Sequence, residues 1–266
     1  MNPFDLTGRV VLLTGAAGRL GGAMSQAIVA AGAELVMVGR REAALAAERE
    51  RLPAPLRARC HVVACDVTRP EAPARLEDEV RKRYGRLHGL VNNAYAGKVG
   101  APQAISREDF LEACTYNLVA PFELAKALVP LLEQGAVRDG GTSAVVNVAS
   151  MYGVVSPDPS VYGDSGKNNP AHYGATKAGM IQLTRYLACH LSPGRIRVNS
   201  VSPGPFPDKT VDPGIPGFYE KLAARVPMGR CGEPEEAAGP VVFLLSQAAS
   251  YVNGADLAID GGWTAW

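Results

Sequence analysis

The feature that most constrains this chain is an alternation repeated along its whole length. A short apolar run ends in a turn and is followed by a longer segment of helical character. Residues 10–13 (Val-Val-Leu-Leu) stop at Thr14-Gly15 and lead into an alanine-rich stretch over 20–31 that Gly32 is placed to end. Runs at 35–38, 61–64 and 89–92 follow, with helices expected over 42–51 and 70–84. The second half repeats the rhythm: a helix over 110–132 despite Pro121, a strand at 144–148, a helix over 172–191 and a strand at 196–201. A helix over 233–246, with Pro234 suited to its first turn, and a last strand at 257–260 complete it. Strands this short and continuously apolar read as a parallel sheet buried on both faces, joined by right-handed crossovers. The expectation is one α/β domain over residues 1–266: a doubly wound parallel sheet of about seven strands, with six major helices on both faces.

Two stretches break the rhythm. Residues 151–171 carry three prolines and three glycines, and 203–217 carry five prolines. Both leave the C-terminal ends of expected strands, where open parallel sheets bind ligands, so both are expected to be substrate loops.

With 266 residues the chain can bury a full core without disulfides or metals. Apolar residues make up 47% and charged residues 20%, which argues against disorder. The 27 Lys and Arg nearly balance 26 Asp and Glu, so nothing favours a general nucleic-acid or membrane-surface binder. The start, Met-Asn-Pro-Phe-Asp-Leu-Thr-Gly, lacks the basic region and apolar run of a secretory leader, and no run approaches a membrane span. Five cysteines, without a CxxC pair, read as structural or incidental thiols; Cys60 and Cys65 straddle a strand and point to opposite faces. The four histidines share no ligand pattern, so no metal is expected. A cytoplasmic location is the expectation.

The turn after the first strand, Thr14-Gly15-Ala16-Ala17-Gly18-Arg19-Leu20-Gly21, joins glycines to a helix start. Glycine lets backbone amides approach a phosphate, and a helix N-terminus favours negative charge. Gly15, Gly18, Arg19, Leu20 and Gly21 are therefore candidate cofactor contacts. An NAD site normally places Asp or Glu at the end of the second strand. Here that stretch is Val38-Gly39-Arg40-Arg41. Arg40, with Arg19 converging from the glycine turn, suits a 2′-phosphate, so NADP(H) is expected in preference to NAD(H), which stays possible. Asp66-Val67 after the third strand and Asn93-Ala94 after the fourth extend the same rim.

Tyr173 and Lys177 lie four residues apart in a helical segment, on one face and about 6 Å apart along the axis. A phenol is a poor proton shuttle at neutral pH unless a neighbour such as an ammonium stabilises the phenolate. Ser150, just beyond the strand at 144–148, can hold a carbonyl or alcohol oxygen.

Together these residues resemble the classical short-chain dehydrogenase/reductase family over essentially the whole chain. The catalytic tetrad maps onto Asn117, Ser150, Tyr173 and Lys177. The Asn-Asn-Ala start of the NNAG motif stands at 92–94, and Pro203-Gly204 and Asp260-Gly261-Gly262 also match. The resemblance implies a Rossmann-like fold and reversible hydride exchange between NADP(H) and a carbonyl or alcohol. In it the tyrosine transfers the proton, the serine polarises the substrate, the lysine holds the nicotinamide ribose and lowers the tyrosine pKa, and the asparagine supports a water relay. It also implies a homo-oligomer, a tetramer before a dimer. Four departures stand out. Arg19 gives a TGxxxRxG turn familiar among NADPH-using members. Tyr95 replaces the last NNAG glycine. Asp208 stands where a threonine is usual, with Thr210 two positions on. Ser150 and Tyr173 are separated by 22 residues, about ten more than usual. Tyr95, Tyr152 and Tyr162, together with Asp158 and Asp164, are expected to meet a small polar or sugar-like substrate. An NAD-dependent sugar or polyol dehydrogenase and a nucleotide-responsive regulator are the alternatives.

Overall fold

The computed structural model describes residues 2–138, 140–210 and 213–266. Its elements run β1 (Val10–Thr14), α1 (Arg19–Ala30), β2 (Glu34–Gly39), α2 (Glu42–Arg51), α3 (Ala54–Arg57), β3 (Cys60–Ala64), α4 (Ala72–Tyr84) and β4 (Gly89–Asn92). Then come α5 (Arg107–Cys114), α6 (Ala120–Arg138), β5 (Ser143–Val148), α7 (Ala171–Leu191), β6 (Ile196–Pro203), α8 (Phe218–Arg225), α9 (Pro234–Leu245) and β7 (Asp256–Ile259). The strands form one seven-stranded parallel sheet in the order β3-β2-β1-β4-β5-β6-β7. The order reverses beside β1, so the C-terminal ends of β1 and β4 open a crevice at the switch point.

Period-two alternation builds a core on each face. Val11, Leu13, Leu35 and Met37 point to one side, against Met24 and Ile28 of α1 and Val241 and Leu244 of α9. Val10, Leu12, Val36 and Val38 point to the other, against Leu76 and Val80 of α4, Leu124 and Leu128 of α6, and Leu187 of α7. Cys60 lies in the first core and Cys65 in the second, as their parity requires, and all five cysteines are free thiols.

The strands match the sequence expectation closely, and the helices differ in three places, the first being the short α3, which was not expected. The helix expected over 110–132 is α5 and α6 joined by a π-turn at Thr115–Val119, in which the Ala120 amide returns five residues to the Thr115 carbonyl. Pro121, lacking an N–H for the next rung, follows at once, and Pro130 is accommodated further along. The 203–217 stretch ends in a helix that was not expected, α8, whose Leu222 is buried beside Trp263. Residues 151–171 form no long helix but hold two 3-10 turns, Met151–Gly153 and Pro159–Val161, capped by the Ser150 and Asp158 side chains. Among the described residues no helix is long and apolar enough to cross a membrane.

Candidate active site

The C-terminal ends of β1, β2, β4, β5 and β6 surround a cavity of about 510 Å³. Gly15, Gly18, Arg19, Leu20, Gly21, Arg40, Val67, Asn93, Ala94, Pro203 and Gly204 all stand on its wall, as the sequence reading expects, and so do Tyr173 and Lys177. Two glycines are required by close packing. A Cβ on Gly21 would lie 2.1 Å from the Gly15 carbonyl oxygen, and one on Gly204 would lie 2.6 Å from the Asp260 Cα. Asn93 braces the turn: its Nδ2 donates to the Thr14 and Gly15 carbonyls, while the Thr14 hydroxyl accepts from the Asn93 and Ala94 amides.

The first turn of α1 contains no acidic residue, and its N-cap, Gly18, has no side chain to cover the free amides. Those amides, the glycine turn and a cavity of dinucleotide size fit a bound pyrophosphate. The two arginines are arranged differently from the expectation. Arg19 lies 3.5 Å from Asp208 and 3.9 Å from Glu233, which draw it toward the 203–217 stretch. Arg40 donates to the Tyr116 hydroxyl at 2.9 Å. The expected convergence on one phosphate is therefore replaced by two separate engagements. Asp66 turns Oδ1 to the Thr68 amide and hydroxyl, leaving Oδ2 for any contact with adenine.

At the other end of the cavity α7 presents Tyr173 and Lys177. Lys177 is buried, donates to the Val148 carbonyl at 2.6 Å, and has its pKa pushed down to about 8 by that burial. Burial also raises the Tyr173 pKa, and a hydrogen bond with the Ser150 side chain pulls it back. The lysine ammonium sits 5.8 Å from the Tyr173 ring centroid, over the ring. Of these two influences burial is the larger, so the phenol's pKa stands above its ordinary value. Asn117, buried on the π-turn, donates to the Thr176 hydroxyl at 3.1 Å, and Thr176 bonds the Tyr173 carbonyl. Its Oδ1 is buried without a hydrogen-bond partner among the described residues. An orphan of this kind is what a water relay would satisfy.

Aromatic rings close the outer side. Tyr95 meets Tyr173 edge-on at 5.0 Å, and the Lys177 ammonium lies 5.7 Å from its ring centroid. Tyr152 stands edge-on to both Tyr173 and Trp263. Burial raises the pKa of both Tyr152 and Tyr162, and the side-chain hydrogen bond between them raises the first further and holds the second back. Asp158 pairs with Arg225 of α8 and caps Ser160, so it holds the loop rather than standing free for a substrate; Asp164 is exposed. At 208, the aspartate accepts from the Thr210 amide and hydroxyl. His172 is fully buried in the first turn of α7 against the Lys98 carbonyl and Phe110. Among the described residues no group of three or more metal-ligating side chains is assembled. Tyr116, Phe206 and Trp263 escaped the sequence reading. Their signal there was positional: Tyr116 directly precedes Asn117, Phe206 lies in the 203–217 stretch and Trp263 follows Gly262.

A parallel sheet opening on a glycine turn, with a Ser-Tyr-Lys group at the far end of the same cleft, defines an oxidoreductase of the nicotinamide-dinucleotide class. Comparison with known proteins agrees. A family model described as enoyl-(acyl carrier protein) reductase matches residues 15–264. The cis-4-hydroxycyclohexanecarboxylate dehydrogenase of Sinomonas cyclohexanicum is 36% identical, with 97% of each chain covered. The galactitol 2-dehydrogenase (L-tagatose-forming) of Cereibacter sphaeroides is 32% identical over 99% of this chain and 98% of its own. An uncharacterised Sinorhizobium fredii relative is longer, and the chain spans 44% of it at 34% identity. Among solved structures, the Pseudomonas aeruginosa RhlG/NADP complex superposes with a TM-score of 0.87 at 30% identity, covering 99% of both chains. The chain belongs to the short-chain dehydrogenase/reductase family and acts on CH–OH or carbonyl groups with NAD(P)(H).

Proposed function

We propose that the protein is an NADP(H)-dependent oxidoreductase that interconverts a ketone or aldehyde and an alcohol on a small, polar, polyhydroxylated substrate. The observation that carries this reading is one cavity with Arg40 at its β2 end and Tyr173, beside Ser150 and Lys177, at its β5–β6 end. The residues present fit the cofactor: uncapped α1 amides for pyrophosphate, Arg40 for a 2′-phosphate, and Lys177 with Tyr173 for the nicotinamide ribose. Bound there, the dinucleotide supplies or accepts the hydride. In reduction Ser150 holds the substrate oxygen and Tyr173 protonates it. Lys177, which would also hold the nicotinamide ribose, would return a proton to Tyr173, and the Asn117 Oδ1 would anchor a water leading to solvent. Oxidation runs the same groups in reverse.

Support for a polar substrate comes from relatives: a galactitol 2-dehydrogenase, a D-threitol dehydrogenase of Mycolicibacterium smegmatis, and a Burkholderia cenocepacia gluconate 5-dehydrogenase structure in complex with NADP and tartrate. The 151–171 segment serves as one wall of the substrate pocket, presenting Tyr152 beside Tyr173 and facing Tyr95. Self-association is part of the proposal, with a tetramer before a dimer. It is supported by the exposed apolar side chains Phe110, Leu111, Val119, Phe122 and Tyr186 on α5, the π-turn, α6 and α7, and sedimentation velocity reads it directly. A panel of sugars, polyols, hydroxy acids and acyl ketones, followed by absorbance of both reduced cofactors, tests the function. Turnover confined to long apolar acyl ketones, or faster with NADH than NADPH, would overturn it.

A further inference from the structure

The Arg40 contact goes beyond a lone cation at a strand end. Arg40 is exposed where β2 ends, yet its Nη1 donates to the Tyr116 hydroxyl at 2.9 Å and its guanidinium carbon lies 5.5 Å from the Tyr116 ring centroid. Tyr116 is only 7% exposed and lines the same cavity as Arg40, Arg41 and Val67. Its placement follows from the π-turn. The five-residue return from Ala120 to Thr115 widens the helix, so that neighbouring side chains part company. Asn117 goes to Thr176 on α7, and Tyr116 goes to the cleft.

A tyrosine hydroxyl that accepts from an arginine still has its own proton to donate. The guanidinium, with five N–H groups, has spent one of them on the phenol and keeps the rest. A long side chain held against a ring face and a hydroxyl has also surrendered much of its rotamer freedom before any anion arrives. Arg19, another cation on this wall, is matched by Asp208 and Glu233, whose carboxylates repel a phosphate.

We propose that Tyr116 and Arg40 form a two-residue clamp for the 2′-phosphate of the dinucleotide, in which Tyr116 is the positioning residue that aims the Arg40 fork and adds a donor of its own. The clamp rests on the NADP(H) reading above, and its test separates the two. Adenosine 2′,5′-bisphosphate and adenosine 5′-monophosphate, which differ only in the 2′-phosphate, are titrated calorimetrically into wild type, Y116F, R40Q and the double variant. Wild type binds the bisphosphate at least tenfold more tightly. Y116F, which keeps the ring and therefore the fold, loses roughly tenfold for the bisphosphate, the size of one hydrogen bond to a charged group, with the monophosphate unchanged. In the R40Q background the Y116F loss shrinks to a small residue of that factor, because the two act as a unit. If Y116F leaves the bisphosphate-to-monophosphate ratio intact while R40Q collapses it, the clamp is refuted and the NADP(H) reading stands. An equal loss for both ligands also refutes it, making Tyr116 mere packing. A wild type indifferent to the 2′-phosphate overturns both.

Discussion

Replacing Lys177 by methionine should make the folded protein more stable at neutral pH while abolishing its chemistry, and the gain should fade as the pH rises. The cause is burial. The side chain is 4% exposed, and desolvation alone drags its pKa from 10.5 to about 8. At roughly 1.4 kcal/mol per tenfold change in proton affinity, that fall costs folding about 3 kcal/mol at pH 7. Between the two pKa values the unfolded chain binds the proton and the folded chain does not, so wild-type stability rises with pH across this window. At pH 9.5 the burden has shrunk to about 1 kcal/mol. Methionine has similar length and no charge, and it forfeits the 2.6 Å hydrogen bond to the Val148 carbonyl, a loss of about 1 kcal/mol at every pH. K177M should therefore exceed wild type by about 2 kcal/mol at pH 7 and match it near pH 9.5. Urea unfolding without cofactor, at fixed protein concentration and both pH values, measures the gap, and the other titrating groups cancel between the two proteins. A gap that is the same at both pH values would refute the claim that burial holds this lysine near 8. Loss of turnover in K177M belongs to the proposed proton relay and is read separately.

Tyr173→Phe should keep the melting temperature and cofactor affinity while turnover falls by about 10²–10⁴, since only the proton-transferring hydroxyl is gone; near-normal turnover would end its assignment as acid and base. Gly21→Ala drives a methyl to 2.1 Å from the Gly15 carbonyl, so the turn must open: calorimetry should find dinucleotide binding lost, and stability should drop by about 1–3 kcal/mol. Arg225→Ala removes the Asp158 pair that ties the 151–171 loop to α8, and the contact of the guanidinium with the Trp263 ring. It should raise KM with little change in cofactor affinity, as should replacing residues 155–166 by a short polar linker. Unchanged kinetics in both variants would reduce the loop to a surface insertion.

How much of this was legible in the sequence depends on the range of the forces involved. The seven strands were, because each is a short apolar run whose neighbours in the sheet follow from repeated crossovers. The cavity wall was, because glycine turns and strand ends mark it locally: Gly15, Gly21, Asn93 and Gly204 stand where the motif placed them. The partners of charged side chains were not. Arg19 meets Asp208 and Glu233 from the far end of the chain, and Asp158 meets Arg225, so both were misjudged as free for ligands. Pairings of this kind are set by the closed fold, not by spacing. Helix α8 was hidden by five preceding prolines, although Phe218 and Leu222 at helical spacing were the available clue. The π-turn left no periodic trace at all, since one extra residue merely blurs a 3.6-residue pattern.

That extra residue gives the α5–α6 helix something like a reading frame. Each residue advances a helix by about 100°, so dropping one position between Thr115 and Val119 would rotate one flank against the other by that amount. Leu124, Leu128 and Leu131, which fill the core beneath α6, would swing off the sheet, or else the Arg107–Cys114 turns would swing off α7. Substitutions in the turn are therefore changes of chemistry, whereas a one-residue deletion is a change of architecture. Sequence change that remodels the cleft through this helix is confined to swapping side chains at fixed length, while the loops at 151–171 and 203–217 are free to vary in length as well.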